Sequence, residues 1–486
     1  MIRNPLRWSF ALVVVVSLTL TDCARNPVSG KKELVLISES QEIAMGQEAH
    51  PAILSQFGKV EDEALQQYFN DIGQKMAALS HRPDLPWHFT VVDDPLVNAF
   101  AVPGGFIYFT RGILAYMNNE AELAGVLGHE IGHVTARHSV SQMSKAQLYG
   151  LGLGLGSVLS PTFGRYSQLA QAGIGVLFLK YGRDDERESD QLGVEYMYKM
   201  DYDPRELSGF FEVFQGMREK EGSAVPDWLS SHPSPPDRIE ATRAKANQII
   251  AESGDKDFKR DSESFLQRIE GIVYGENPRE GFSEDGHFYH PEMKFRMDYP
   301  KGWKVINTRS AVVFLEPSQK VAAQLTLVPP EIDSPRARAE QLSDQEGVRM
   351  LESNSKRING NPAVLAVYQV SDYSGNSLQA LAAFIDYRGS IYQLVGSTTP
   401  NNFRQYYGIL ESIVNSFREL TDSRILGVQP DRLALYRVQR GGTLQDIAKR
   451  FPNERVDAEV LSALNRVGPA DYLEAGTVIK VVKAGY

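Results

Sequence analysis

Apolar residues recur every three to four positions over residues 40–57 and again over 61–80, a spacing that predicts two helices. Residues 87–92 read as a strand, and 98–110 (NAFAVPGGFIYFT) read as two short strands about a Pro103-Gly104-Gly105 turn. Helical spacing returns over about 118–144. Asn118 suits its cap, and Glu120 and Glu122 suit its first turn, where acidic side chains complement the helix dipole. A glycine-leucine stretch over 150–156 follows, which reads as a buried turn, a mobile apolar lid or a membrane-touching surface. Further helices are expected over 184–200, 204–219 and 236–250.

Past about residue 255 the pattern changes. Strand-like alternation runs from 281 to 420, as in Lys294-Phe295-Arg296-Met297-Asp298-Tyr299 and Ile391-Tyr392-Gln393-Leu394-Val395, with helices near 337–352 and 402–417. The expected fold is multidomain α+β. A mainly helical domain with a small edge-strand sheet covers 38–255, and a linker covers 256–280. An antiparallel-sheet α+β domain covers 281–422, and a small βααβ unit covers 434–486. The middle domain has no catalytic spacing: His287 and His290 are close but lack a third ligand.

The net charge of −10 over 486 residues, with no local basic stripe, argues against a nucleic-acid partner. The single cysteine, Cys23, excludes an internal disulfide framework and thiolate zinc sites, so any metal must be held by His, Asp or Glu. Arg3 and Arg7 precede an apolar run over 10–20, which reads as a signal peptide over 1–22. Leu20-Thr21-Asp22-Cys23-Ala24 resembles a bacterial lipoprotein signal, although Asp22 stands where a small residue is usual. That resemblance implies lipidation at Cys23, a tether over 23–37 and, with Ala24 next, a place on the periplasmic face of the outer membrane.

The 118–144 helix contains GVLGHEIGHVTARH. His129 and His133, at i and i+4, share one helix face and offer two nitrogens to one tetrahedral ion. Glu130 points in a neighbouring direction, toward a water on that ion rather than the ion itself, and suits the role of general base. With 9 histidines in the chain, this motif arises by chance in about one such chain in a hundred. Ser139 and Ala136 stand where a metzincin places its third histidine and glycine, which excludes that class. His138 lies off the ligand face and is expected to be structural. A third ligand is available in YGRDDERESD: Glu186 and Asp190 are i and i+4. Glu186 would complete a His-His-Glu set while Asp190 holds the outer nitrogen of a ligand histidine. Glu188 is the rival ligand, without an acid four residues on.

His129-Glu130-x-x-His133, Arg137-His138 and Glu186-x-x-x-Asp190 together resemble the HtpX/BepA-type zinc metallopeptidases, relatives of the CAAX-processing proteases. Asn98-Ala99-Phe100 before Pro103-Gly104-Gly105, Asp201-Tyr202-Asp203-Pro204, and Ser231-His232-Pro233 followed by Arg238-Ile239 carry the same resemblance; Ser189 departs from its usual alanine. It spans residues 34–252 and implies a gluzincin endopeptidase with one Zn2+ on His129, His133 and Glu186. It also implies that Asn98, Ala99 and Phe100 form an edge strand that takes an extended substrate by strand addition. His232 is implied either to stabilise the oxyanion or to close the site as a fourth ligand, and Arg238 to stabilise transition-state charge or anchor that loop.

The last unit, with Gly441-Gly442-Thr443-Leu444, Leu464-Asn465 and a closing strand near 478–481, resembles a LysM module. That resemblance implies peptidoglycan as a partner, although Gly442 stands where aspartate is usual. The expected function is a zinc endopeptidase of the bacterial envelope, acting on unfolded or misassembled proteins, with outer-membrane assembly machinery as a further partner. The alternatives are a wall-tethered chaperone or scaffold with a latent metal site, and a peptidoglycan-directed metal hydrolase; an intact Glu130 favours the enzyme.

Overall fold

The computed structural model describes residues 25–33, 35–150, 181–219, 228, 232, 236–254, 256–371 and 377–485. The expected signal peptide, Cys23 and the glycine-leucine stretch beyond Gly150 lie outside them. The chain divides into two compact units, residues 1–275 with 432–484, and residues 276–431 with 485–486.

In the first unit, helix α1 (Glu39–Phe57) starts at a Ser38–Gln41 capping box, and α2 (Glu63–Ala77) is capped by Asp62. Strands β1 (His88–Val92), β2 (Ala99–Val102) and β3 (Phe106–Thr110) form a sheet in the order β1-β3-β2. β1 runs parallel to β3 and β2 antiparallel, so β2 is an edge. Gly104 and Gly105, at φ 87° and 94°, make the β2–β3 turn where a side chain would be strained. A short α3 (Arg111–Tyr116) leads to α4 (Glu120–Thr135), which carries the HExxH motif and is buried along its length after Glu120.

Two expectations about α4 change. Its cap is Asn119, whose Oδ1 accepts from the Glu122 N–H at 2.9 Å, rather than Asn118. The helix expected to reach 144 is two helices: Arg137 sits at φ 61° between α4 and α5 (His138–Gly150). That conformation is held by tertiary contacts, since Arg137 donates to Glu42 Oε2 at 3.1 Å and to the Ile37 carbonyl at 2.8 Å.

Helices α6 (Arg183–Lys199), α7 (Arg205–Glu219) and α8 (Pro236–Glu252) complete the helical layer. α4 and α6 approach through small residues. A Cβ added to Gly128 would lie 3.1 Å from Gly193 Cα, and one added to Gly132 would lie 3.1 Å from Ser189 Cα. The expected linker over 256–280 is instead largely structured. It contains α9 (Ser262–Ile269), whose Phe265 and Ile269 are fully buried in the core that also holds Leu123 and Val126 of α4.

The second unit has two antiparallel sheets. One orders β10-β11-β12-β13-β9-β8-β7, from β7 (Lys304–Asn307), β8 (Val312–Leu315), β9 (Val321–Leu327), β10 (Val348–Ile358), β11 (Asn361–Ser371), β12 (Ser377–Tyr387) and β13 (Ser390–Thr398). The other orders β14-β6-β5-β4, from β4 (Phe282–Glu284), β5 (His287–His290), β6 (Phe295–Asp298) and β14 (Arg418–Glu419). Helices α10 (Pro335–Ser343) and α11 (Pro400–Ser416) accompany them. The helix expected over 337–352 stops at Ser343. Gly347 turns the chain at φ 78°, and residues from Val348 pair with β11, a ladder that outweighs the local helical spacing.

The C-terminal strands return to the first unit. β15 (Arg432–Arg437) pairs with β18 (Val478–Lys483), and β16 (Gly442–Thr443) with β17 (Tyr472–Leu473). Between them lie α12 (Leu444–Ala448), capped by Thr443, and α13 (Ala458–Asn465). This βααβ unit does not stand apart. Leu433 exchanges backbone hydrogen bonds with Gly271 and Ile272, at 2.8 and 2.9 Å, and its core is continuous with that of the helical layer.

Candidate metal centre

α4 brings His129 and His133 to one face, α6 brings Glu186, and His232 precedes α8. One ligand atom from each of these four buried residues lies within 4.8 Å of the others. His129 Nε2 is 3.0 Å from His133 Nε2 and 3.2 Å from His232 Nδ1, and His232 Nδ1 is 3.0 Å from Glu186 Oε1.

The hydrogen-bond network sets the tautomers. Asp190 Oδ1 lies 2.9 Å from His129 Nδ1 and, being a carboxylate, can only accept; His129 therefore presents an Nε2 lone pair. On the other side Glu188 Oε2 accepts from His138 Nε2 at 3.0 Å. That leaves His138 Nδ1 to accept from His133 Nδ1, 3.0 Å away, and turns a second Nε2 lone pair inward. His138, expected to be structural, thus orients His133, and Glu188, the expected rival ligand, lies against His138 instead.

Two lone pairs 3.0 Å apart, with Glu186 oxygens 3.7 and 3.5 Å from them, repel unless a cation lies among them. Glu130 Oε2 is buried without a hydrogen-bond partner. Glu186 Oε2 forms an ion pair with Arg238 Nη1 at 2.6 Å but no geometrically sound hydrogen bond. This donor set, nitrogen and carboxylate without sulfur, suits zinc.

Electrostatics keep these side chains in forms that could hold a metal. Burial pushes His133 well below its ordinary value, as do the neighbouring imidazoles, so it stays neutral. Burial works against ionised Asp190, but the Arg238 guanidinium and His129 hold its carboxyl down to about 2. Glu186 is likewise held below the usual carboxylate range against its burial, by Arg238 and His232. His232 is raised despite burial, because Glu186 and Glu130 face it.

Arg238, expected to meet the substrate's transition-state charge or to anchor the His232 loop, is a buried brace whose Nη1 donates to the His232 carbonyl at 3.4 Å. Its Nε and Nη2 reach the two Asp190 oxygens at 2.6 and 2.8 Å, and its guanidinium lies 4.8 Å from the Phe211 ring centre. Asn98, Ala99 and Phe100 lie at the start of edge strand β2. The Phe100 side chain turns into the core against Phe57 and Tyr108, which leaves its backbone as the part able to meet a substrate. Asn98 Oδ1 is buried without a hydrogen-bond partner.

Three residues of the site escaped the sequence reading. Trp228 stacks on His232 with ring centres 5.0 Å apart, donates Nε1 to Glu130 Oε1 at 3.3 Å, and donates its backbone N–H to the Val97 carbonyl at 3.1 Å. Tyr181 stacks on His133 at 3.9 Å, and Thr242 donates to Asp190 Oδ2 at 3.2 Å. Their only signal was residue type near a motif, which ordinary core residues share.

Comparison with known proteins agrees with this geometry. The profile of peptidase family M48 matches residues 63–246, and that of the LysM domain matches 436–482. The beta-barrel assembly-enhancing protease of Yersinia pestis is 32% identical over 234 residues, covering 46% of this chain and 47% of that protein. Its Escherichia coli (strain K12) counterpart is 30% identical over 222 residues, covering 44% and 45%. The mitochondrial metalloendopeptidase OMA1 of Schizosaccharomyces pombe is 29% identical over 219 residues, covering 44% of this chain and 63% of that protein. The chain thus spans about half the length of the bacterial relatives it matches. Residues 63–246 thus match a peptidase M48 domain, homologous to the beta-barrel assembly-enhancing proteases at about 30% identity, and residues 436–482 match a LysM domain.

Proposed function

We propose that this protein is a zinc-dependent endopeptidase of the bacterial envelope that cleaves unfolded or misassembled proteins, in outer-membrane protein quality control. The observation that carries the reading is the convergence of His129, His133, Glu186 and His232 within 4.8 Å, with Glu130 beside them. A zinc ion on the His129, His133 and Glu186 side chains would supply Lewis acidity for amide hydrolysis. Glu130 accepts a proton from the attacking water and passes it to the leaving amine. Asp190, Arg238 and the Glu188–His138 pair orient the ligands. Strand β2, the edge of its sheet among the described residues, would take an extended backbone by strand addition without reading one sequence, which suits unfolded substrates.

His232 Nε2 lies 3.6 Å from Glu130 Oε1 and Trp228 Nε1 donates to the same oxygen at 3.3 Å, which supports reading the arrangement as a closed one that substrate opens. The names of the bacterial relatives and the LysM domain support an envelope location, peptidoglycan as a partner and work beside outer-membrane assembly machinery. Cys23 supports attachment through a lipid anchor on the periplasmic face of the outer membrane. No helix among the described residues is long and apolar enough to cross a membrane.

The deciding experiment is cleavage of casein by the chain from Ala24, beside Glu130→Gln, with zinc content read on both. Cleavage lost in the variant while zinc stays bound supports a metalloendopeptidase with Glu130 as its base. Equal cleavage by both rules it out.

A further inference from the structure

Lys480 is 0% exposed, on strand β18 of the LysM domain. Its Nζ donates to the carbonyls of Ala115 and Met117, 2.7 Å each, at the C-terminal end of α3. Those carbonyls have no partner within the helix, and a cation is well suited to them. Arg466, the left-handed residue that ends α13, sets Nη2 2.6 Å from Glu122 Oε2. Glu122 is also 0% exposed and stands in the first turn of α4. Its carboxylate accepts from the Asn118 backbone N–H at 3.0 Å and from Nδ2 of Asn119, the cap of α4, at 2.8 Å. Asn119 Nδ2 also reaches Glu206 of α7 at 2.8 Å.

Two cations of the LysM domain therefore fall on either side of the short connection from α3 to α4. Burial drives Lys480 down to about 7 against the pull of Glu122, with Arg466 adding to the drop, and drives Glu122 up to about 7 against Arg466 and Lys480. A buried amine is a costly choice where an apolar side chain would fill the same space, and here both of its hydrogen bonds go to backbone carbonyls at the end of α3. The far end of α4 is pinned as well, by Arg82 Nη1 on the Val134 carbonyl at 3.0 Å. Between those two ends lie His129 and His133, about two and three turns beyond Glu122. A metal site tolerates errors of only a few tenths of an ångström, about ±0.2 Å in ligand distance.

We infer that the LysM domain is a clamp on the metal helix, with Lys480 and Arg466 as positioning residues that set where α4 begins and hence where His129 and His133 stand. The zinc part of this inference rests on the metallopeptidase reading above; the clamp itself does not.

The test uses the chain from Ala24 with Lys480→Met, Arg466→Leu and Arg466→Lys. Two quantities are read: hydrogen exchange of the amides over 120–126, and zinc loss to a chelator. Lys480→Met and Arg466→Leu are expected to speed exchange in that segment about tenfold relative to the rest of the unit, and zinc loss several-fold. Arg466→Lys is expected to stay near the parent chain. A folded Lys480→Met or Arg466→Leu chain with unchanged local exchange and zinc retention would overturn the inference, as would faster exchange spread evenly over the unit. If Lys480→Met fails to fold, Arg466→Leu decides on the same readouts, since the Arg466 side chain is 25% exposed and its loss is milder. If the parent chain holds no zinc, the metallopeptidase reading fails and the local exchange alone decides.

Discussion

Asp190 Oδ1 stands 2.9 Å from His129 Nδ1, the ring nitrogen turned away from His133, and Glu188 reaches His133 in the same sense through His138. Each of the two histidines thus has its own carboxylate. Asp190→Asn weakens the acceptor that fixes the His129 tautomer and is expected to lower zinc affinity about 10- to 100-fold. Glu188→Gln, one imidazole further out, should cost less, on the order of a few-fold. Competition with a chelator measures both; unchanged affinity in Asp190→Asn means that His129 needs no partner.

His232→Ala removes the fourth side chain of the cluster, whose Nδ1 lies 3.0 Å from Glu186 Oε1. If the closed arrangement is a resting form, casein cleavage rises several-fold while zinc stays bound. A loss of cleavage at full zinc content points instead to a direct part for His232 in the reaction.

Gly132→Ala separates local from tertiary preference. Helix propensity alone predicts a gain of about 1 kcal/mol. The added Cβ, however, lies 3.1 Å from Ser189 Cα and 3.2 Å from the Ser189 carbonyl, and backbone gives way at a cost. The expected outcome is a net loss of about 1–3 kcal/mol in urea unfolding. A stabilised variant would show that α4 and α6 part freely.

In the second unit, Asp298 accepts from His287, Arg296 and Arg418 at 2.6–2.9 Å, and these bonds hold its carboxyl below the usual range although burial works against them. A carboxyl depressed in the folded state contributes stability above its unfolded value, about 4, and loses that contribution as pH falls through the folded value. Asp298→Asn should therefore flatten the acid side of the stability profile of this unit below about pH 4. The fluorescence of Trp303, within the same unit, can follow it. An unchanged acid limb would mean the three bonds contribute no net stability.

The HExxH spacing and the Glu186/Asp190 pair were legible because a helix repeats its faces every three to four residues. Four residues of separation therefore implies one side and one turn, whatever the rest of the chain does. The βααβ unit was legible for a similar reason, as turn residues and a Thr443 cap sit at fixed offsets. The break at Arg137 was not legible, because an arginine takes a left-handed conformation only when contacts such as those to Glu42 and Ile37 hold it there. The helix expected over 337–352 failed similarly: spacing short of the pairing partner does not tell a strand from a helix.

By itself, then, the sequence determined the candidate donors on α4 and α6, the candidate general base and the order of the domains, all local and periodic matters. Only the tertiary structure decided which acid faces the histidine nitrogens and which lies behind a ring, where Arg238 points, and what the C-terminal unit rests on. Those outcomes depend on groups 50 to 365 residues apart meeting in a dry interior, as Glu188 meets His138 and Lys480 meets Ala115. In such a place a polar atom must find a partner or pay for its lost water, and no reading of neighbours along the chain reveals which partner that is.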